Sequence, residues 1–205
     1  MCALIERNTL KRLKKMISRC DWAGPEPIYL EYHDTDWGVP EYDSRALWEK
    51  LILDGFQAGL SWITILKKRE NFRAAFAGFD PDIIAQWGDS DIARLLADSG
   101  IIRHRGKIEA TISNARVWQD IQAREGFDAF LWKYVDGKPL QNAWQTQSQV
   151  PTQTPLSAQI SKDLKAQGFK FCGPTIVYAF MEAVGMVNDH LVTCHRYDDV
   201  RKMGR

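Results

Sequence analysis

Apolar residues recur along most of this chain at three- and four-residue spacing, the period of a helix with one buried face. From Asp43 onward Leu47, Leu51, Ile52 and Phe56 follow that rule, and after Gly59 a second run carries Ile63, Ile65, Leu66, Phe72 and Phe76. Phe79-Asp80-Pro81 opens a short helix expected to reach Trp87, since proline is tolerated in a first turn. Ser90 reads as the N-cap of a helix over Ile92–Asp98 that Gly100 would stop. A long helix is predicted after Gly106, through Ile108, Ile112, Ala115 and Ile121 to Gly126. Residues 136–155, with glutamine-rich turns and three prolines, read as an irregular connection. Two further helices cover Ser157–Gln167 and Pro174–Val184, ended by Gly168 and Gly185. No stretch alternates with period two for long enough to make a sheet, and no internal repeat is present. The fold class expected is all-α.

With 205 residues and 45% hydrophobic content, the chain can bury one substantial core, or two small lobes that share an interface. Its longest apolar runs, such as Ile176–Met181, fall far short of the roughly 20 residues that cross a bilayer, and the first residues lack the apolar region of a signal peptide. No membrane association is expected, and the cytoplasm is the default location. Four cysteines, Cys2, Cys20, Cys172 and Cys194, do not form the framework of a secreted disulfide protein. Reduced thiols or metal ligands are the better reading. A formal charge of only +1 does not favour a protein that coats nucleic acid by bulk electrostatics, so any such contact must be local. The first nineteen residues stand apart in composition, with Arg7, Lys11, Arg12, Lys14, Lys15 and Arg19 opposed by Glu6 alone, and Leu4, Leu10, Leu13 and Ile17 spaced loosely for a helix. We take 1–18 as a basic, solvated N-terminal extension, 19–195 as the folded domain and 196–205 as a C-terminal tail.

Two pairs of soft ligands bracket that domain. Twelve residues separate Cys20 from His33, and His190 and Cys194 sit four apart. Two thiolates and two imidazoles suit tetrahedral zinc, and the four-residue spacing would put the second pair on one face if that stretch is helical. Such a site is coordinatively closed: it would tie the chain ends together and hydrolyse nothing. From the spacings alone the same residues also fit an ordinary core, packed among Asp21-Trp22 and Tyr32-His33-Asp34, and His195 and Cys172 are available as substitute ligands.

Two other segments carry candidate chemistry. Gly100 and Gly106 frame a loop between two predicted helices, whose backbone amides would meet the positive end of the following helix and seat one phosphate. Arg103, Arg105 and Lys107 would add attraction that does not depend on sequence, although a plain basic turn has the same composition. Between Trp22 and Trp62 the chain gathers Tyr29, Tyr32, Trp37 and Trp48, with Asp54 on the helix before Gly59. Flat aromatic faces can sandwich an extruded base and attract a cation; a tryptophan-rich core is the plain alternative.

Taken together, Arg19-Cys20-Asp21-Trp22, Tyr32-His33-Asp34, Trp37-Gly38-Val39-Pro40, Gln57-Ala58-Gly59-Leu60-Ser61-Trp62, Lys67-Lys68-Arg69-Glu70, Gly100–Lys107, Gly168-Phe169-Lys170-Phe171 and Val187-Asn188-Asp189-His190 closely resemble the bacterial 3-methyladenine DNA glycosylase I family. The match runs from about residue 19 to Cys194. The resemblance implies a helix-hairpin-helix glycosylase fold and a structural zinc held by Cys20, His33, His190 and Cys194. It also implies a base pocket shaped by Trp22, Tyr29, Tyr32, Trp37 and Trp62, with Tyr32 and Trp62 stacking on the base. Leu60, and Gln57 beside it, would fill the gap left in the duplex. Asp54 departs from the pattern by standing where a member of the family has Glu. It keeps the carboxylate with a reach one methylene shorter, and is assigned to the amino edge of the adenine.

The activity so implied is base excision from alkylated double-stranded DNA by a monomer, releasing 3-methyladenine and leaving an abasic site. No strong general base and no Schiff-base lysine are expected, because no lysine lies in the pocket segments. A zinc hydrolase or deaminase fits less well, since the chain has neither His-Glu-x-x-His nor Pro-Cys-x-x-Cys. A binding module of the same fold that has lost activity is the remaining rival.

Overall fold

A computed structural model describes residues 17–204. Most of the basic extension, including the helical spacing of Leu4, Leu10 and Leu13, lies outside the described residues. The described chain is mostly helical. Helix α1 spans Pro27–Thr35 and α2 Ser44–Gln57. Four short helices follow: α3 (Trp62–Leu66), α4 (Arg69–Ala75), α5 (Pro81–Ile84) and α6 (Asp89–Ala97). The long α7 covers Arg105–Arg124, and α8 covers Phe127–Trp132. Then come α9 (Pro155–Gln167), α10 (Pro174–Ala183) and α11 (Tyr197–Arg201). Strands β1 (Leu140–Gln141) and β2 (Val187–Asn188) form one parallel pair, Leu140 opposite Val187. A two-residue ladder leaves no period for a sequence to show.

Helix α2 is the centre of the core. Asp43 caps it by accepting from the amides of Arg45 and Ala46, and its residues from Leu51 to Phe56 are buried in an unbroken row. A helix buried all round must be covered by several others, and α2 is packed against α3, α7, α8 and α10. That burial is what carries Asp54 inside, at 1% exposure. Trp48, grouped in sequence with the pocket aromatics, belongs instead to this core: it is fully buried and its indole donates to the Phe79 carbonyl at 3.1 Å.

Several boundaries differ from the pattern reading, each for a local reason. The run from Ile63 to Phe76 breaks at Lys67-Lys68, because the Lys68 ammonium reaches across to the carbonyls of Ser99 and Gly100, both at 3.0 Å. Helix α6 is capped at Gly88, two residues before Ser90, since Asp91 accepts from the Gly88 amide at 3.2 Å. Helix α5 stops at Ile84, short of Trp87, as the amides of Gln86 and Trp87 turn back to the carbonyls three residues before them. Helices α1 and α8 were not foreseen; α1 divides its aromatic side chains between two environments, which blurs a single apolar stripe.

The irregular segment 136–155 is held down by the β1–β2 pairing and by one buried carboxylate. Asp189, buried beyond β2, accepts from Asn142 at 2.6 Å, from the Trp144 indole at 2.9 Å and from the Tyr178 hydroxyl at 2.6 Å. The segment set apart as a tail also packs down, with Val200 of α11 fully buried and the Tyr197 hydroxyl donating to the Asn142 carbonyl at 2.9 Å. Hydrogen bonds to a buried carboxylate are worth about 1.5–3 kcal/mol each. Asp189→Ala is therefore expected to lower the unfolding free energy by about 3 kcal/mol or more, measured by urea denaturation.

Candidate functional site: a Cys/His cluster beneath an aromatic cleft

Cys20, His33, His190 and Cys194 are all buried, and one ligand atom from each lies within 4.8 Å of the others. The stretch from His190 to Cys194 is not helical, contrary to the condition attached to its spacing. A turn closed by the Cys194 amide on the Leu191 carbonyl at 2.8 Å brings the pair together instead. Cys194 Sγ stands 3.5 Å from His33 Nε2 and 3.5 Å from His190 Nδ1, and Cys20 Sγ stands 3.7 Å from His190 Nδ1. Around a tetrahedral ion with metal–sulfur bonds of about 2.3 Å and metal–nitrogen bonds of about 2.0–2.1 Å, sulfur and nitrogen would be about 3.6 Å apart.

Each imidazole is oriented through its far nitrogen. His33 Nδ1 meets Asp34 Oδ1 at 2.8 Å, and His190 Nε2 meets the Trp37 carbonyl at 3.1 Å. This leaves His33 Nε2 and His190 Nδ1 with lone pairs facing the thiols, the arrangement of metal-ligating histidines. Burial opposes the ionisation of Asp34, yet hydrogen bonds from Arg19 and His33 hold its pKa at about 2. The contact between the two thiols favours ionisation of one of them, pulling Cys194 well below the ordinary range with help from His190, His33 and the Arg196 amide and, together with burial, pushing Cys20 above it. The set is thus chemically prepared to hold a metal ion. The substitute ligands are placed elsewhere: His195 bonds the Ser18 carbonyl at 3.0 Å, and Cys172 donates to the Phe169 carbonyl at 3.6 Å.

The cluster is also the floor of the aromatic wall. Trp22 lies 5.4 Å from the His33 ring, Trp37 lies 4.6 Å edge-on to His190, and Trp22 meets Trp37 at 4.9 Å. Gly38 follows with φ +81°, and a Cβ there would come 2.9 Å from His190 Nε2, so only glycine lets the backbone pass this close.

Above this wall opens a cleft of about 290 Å³ that contains the five expected pocket aromatics, Trp22, Tyr29, Tyr32, Trp37 and Trp62, together with Asp54 and Gln57. The Tyr29 hydroxyl accepts from the Ile63 amide at 3.0 Å, which fixes the start of α3 and hence Trp62. Tyr32 and Trp62 are 5.4 Å apart and tilted by 46°. A base sandwiched between them would need about twice a ring-stacking distance, so in this state the two rings touch and do not form an open slot. Three buried polar atoms of cleft residues have no protein partner: Asp54 Oδ2, Trp22 Nε1 and Trp62 Nε1. Unsatisfied buried groups are costly, and one acceptor and two donors without a partner among the described residues, all on side chains that line one aromatic cleft, fit the common design of a ligand site.

Sequence reasoning missed Lys50, Gln147 and Glu182, which also line the cleft. Lys50 overturns the expectation that no lysine lies in the pocket. It precedes Asp54 by one helical turn, pairs with Asp54 Oδ1, and places Nζ 3.8 Å from the centre of the Trp62 ring. The i,i+4 spacing of Lys50 and Asp54 was the signal that could have found it.

The outer surface bears the remaining candidates. Gln57 ends α2, Gly59 turns with φ +82°, and Leu60 follows at 41% exposure. The loop between α6 and α7 holds Gly100 through Asp98 Oδ1 at 2.7 Å, and His104 Nδ1 caps α7 by accepting from the Lys107 amide at 3.2 Å. The amides of Arg105 and Gly106 sit in the first turn, where no intrahelical acceptor exists. Arg103 and Arg105 are exposed. The side chain of Lys107 is placed differently from its assigned role. It is buried, and its ammonium donates to the carbonyls of Phe56 at 2.8 Å and Ala58 at 2.6 Å, closing the C-terminal end of α2. It supports the turn that carries Gln57 and Leu60.

The family model for methyladenine glycosylase matches residues 22–197. The chain belongs to the methyladenine glycosylase family. Among family relatives, DNA-3-methyladenine glycosylase 1 of Escherichia coli (strain K12) is 51% identical over 182 residues, which is 88% of this chain and 97% of that protein. A crystal structure of 3-methyladenine DNA glycosylase I superposes with a TM-score of 0.85 at 54% identity, covering 87% of this chain and 98% of the other. The Staphylococcus aureus enzyme, solved for its recognition of 3-methyladenine, superposes with a TM-score of 0.84 at 43% identity, covering 88% and 97%.

The two kinds of basic residue in the α6–α7 region make opposite predictions. Lys107→Met should lower the melting temperature while leaving the salt dependence of DNA binding unchanged. Arg103→Ala and Arg105→Ala should leave stability unchanged and each reduce the slope of log affinity against log salt by about one, measured by fluorescence titration.

Proposed function

We propose that this chain excises 3-methyladenine from alkylated double-stranded DNA, hydrolysing the N-glycosidic bond to free base and an abasic site. The observation that carries the reading is the cleft itself: it is walled by aromatic rings and lined by a buried carboxylate, one of whose oxygens has no partner among the described residues. Family membership supplies the chemical context.

Methylation at N3 gives the adenine a positive charge, so the bond to the sugar is weak before the enzyme acts. The flipped base enters the cleft, Trp62 offers a face to its charge, and Asp54 Oδ2 accepts from its amino edge. Water adds to the sugar carbon, the bonding electrons leave with the base and cancel its charge, and the proton of the water passes to solvent. Asp54 stabilises charge and is not needed as a strong base. No lyase step is part of this reading: Lys50 is the one lysine among the described residues that line the cleft, and in this structure it pairs with Asp54 Oδ1.

DNA is seated from outside the cleft. The helix-hairpin-helix reading assigns the α6–α7 loop, through Gly100, Gly106 and the first amides of α7, to one phosphate, with Arg103 and Arg105 adding attraction. Exposed Leu60, with Gln57, fills the space left by the flipped nucleotide. The unit proposed to act is a monomer, its folded domain running past residue 195 through α11. Among the described residues no helix is long and apolar enough to cross a membrane. The Cys/His cluster would hold one zinc ion through Cys20, His33, His190 and Cys194, where its chemistry is to tie the two ends of the domain beneath the cleft.

Trp62→Ala and Asp54→Asn should each lower the single-turnover rate of 3-methyladenine release by about tenfold or more with the fold intact by circular dichroism; normal release by both variants would defeat the cleft assignment. Metal analysis should find one zinc per chain, and Cys194→Ser should bind less and melt at lower temperature. A metal-free protein of unchanged stability would refute the clip.

A further inference from the structure

Lys50 makes, from within the protein, both contacts assigned to the methylated base. Its ammonium lies 3.8 Å from the centre of the Trp62 ring and bonds Oδ1 of Asp54. It therefore stands where a cation would stack and pairs with the carboxylate that reads the amino edge. The same side chain lines a second cavity of about 280 Å³, which shares Tyr32, Lys50, Trp62 and Ala183 with the first and is walled by Asp36, Glu41 and Glu49. Arg69 pairs with Asp36 and Arg73 with Glu49, both at 2.7 Å, while Glu41 accepts from the amides of Tyr42 and Asp43. Lys50 is thus placed on the boundary between an aromatic cleft and a cavity lined by three carboxylates and by the two arginines that pair with two of them, leaving Glu41 without an arginine partner among the described residues.

We propose that Lys50 is a specificity-determining residue, a resident cation that an incoming base must displace and that only a positively charged base replaces without loss. The inference rests on reading the Asp54–Trp62 cleft as the base site. When a methylated adenine enters, one cation is exchanged for another: Asp54 keeps an ionic partner, Trp62 keeps a positive charge at its face, and the ammonium moves toward the carboxylates of the second cavity. When ordinary adenine enters, the ammonium is displaced by a neutral ring, leaving the carboxylate buried without its counter-ion and the indole without its cation. Burial already draws the Lys50 pKa down, against the pull of Asp54, so the ammonium is held where desolvation weakens it and a competing cation can move it. Discrimination then comes from a cost imposed on the wrong ligand as well as from attraction to the right one.

The test is inhibition of 3-methyladenine excision by free adenine, which is neutral at pH 7, in the wild type and in Lys50→Met, Lys50→Gln and Lys50→Arg, with melting temperatures recorded for each. The two uncharged variants should bind adenine about tenfold more tightly than the wild type, the scale of one desolvated cation–π contact. Lys50→Arg, which keeps the charge, should behave as the wild type does. If neither folded uncharged variant gains affinity for adenine, or if Lys50→Arg gains as much as they do, the inference is overturned. A Trp62→Ala variant separates the two levels: normal excision there would remove the cleft reading itself, whereas impaired excision with no gain at Lys50 removes only the resident cation.

Discussion

The meeting of Cys20 and His33 with His190 and Cys194 is the constraint on which the rest of the site depends. It joins residues up to 174 positions apart in the sequence, at distances that suit a single tetrahedral ion. Without such a tie, two imidazoles and two thiols buried together would be a poor core, since each would need a partner that the others supply only in part. The cluster also fixes the aromatic wall. Trp22 and Trp37 rest directly on its imidazoles, and the Trp37 carbonyl holds His190 in its ligating tautomer. The close crossing at Gly38 is completed by Gly185, whose φ of +68° lets its Cα lie against the backbone of residues 38–40. The Cys/His cluster thereby sets the position of two of the aromatic residues that line the cleft.

The cleft shows the opposite economy. Where the polar atoms of the cluster find partners in one another and in Asp34 and the Trp37 carbonyl, three polar atoms of cleft residues have none among the described residues. A buried carboxylate at the centre of the core is expensive, and helix α2 carries it there only because the helix is covered on nearly every side by apolar contacts. Lys50 offsets part of that expense from one turn away. Stability is therefore spent locally to hold a charge where a cation will arrive, and regained in the α2 core and the Asp189 network.

Much of this was legible in the sequence, and what was not has physical reasons. The α2 periodicity, the glycine stops at Gly168 and Gly185 and the four metal-capable ligands could be read directly, because helical period, positive φ and ligand chemistry each leave a mark on residue type. The ligand set and the pocket aromatics needed the resemblance to the family, since spacing alone could not tell a tryptophan-rich cleft from a tryptophan-rich core; Trp48 shows how easily the two are confused. Lys50 was not counted among the pocket residues and Lys107 was assigned to DNA, and both turn inward to oxygen atoms of α2 or of the turn after it. A long side chain places its charge five bonds from its backbone, so the direction of a lysine is settled by what carbonyls and carboxylates lie within reach, which the linear pattern does not contain.

The shorter carboxylate at Asp54 is best understood together with Lys50. An aspartate on a helix has fewer rotamers than a glutamate and reaches less far into the cleft, so its orientation depends on what holds its other oxygen. Before a base enters, Lys50 holds Oδ1, and Oδ2 has no partner among the described residues. Loss of reach is thus accompanied by a direction set in advance. Because a methylated adenine is already a good leaving group, such a site has little to gain from a mobile acid or base. It has much to gain from a rigid acceptor that a neutral base cannot use without displacing a charge. On the proposed reading of this cleft, selecting the damaged base and stabilising its departure are one electrostatic problem, which falls to Trp62, Asp54 and Lys50 together.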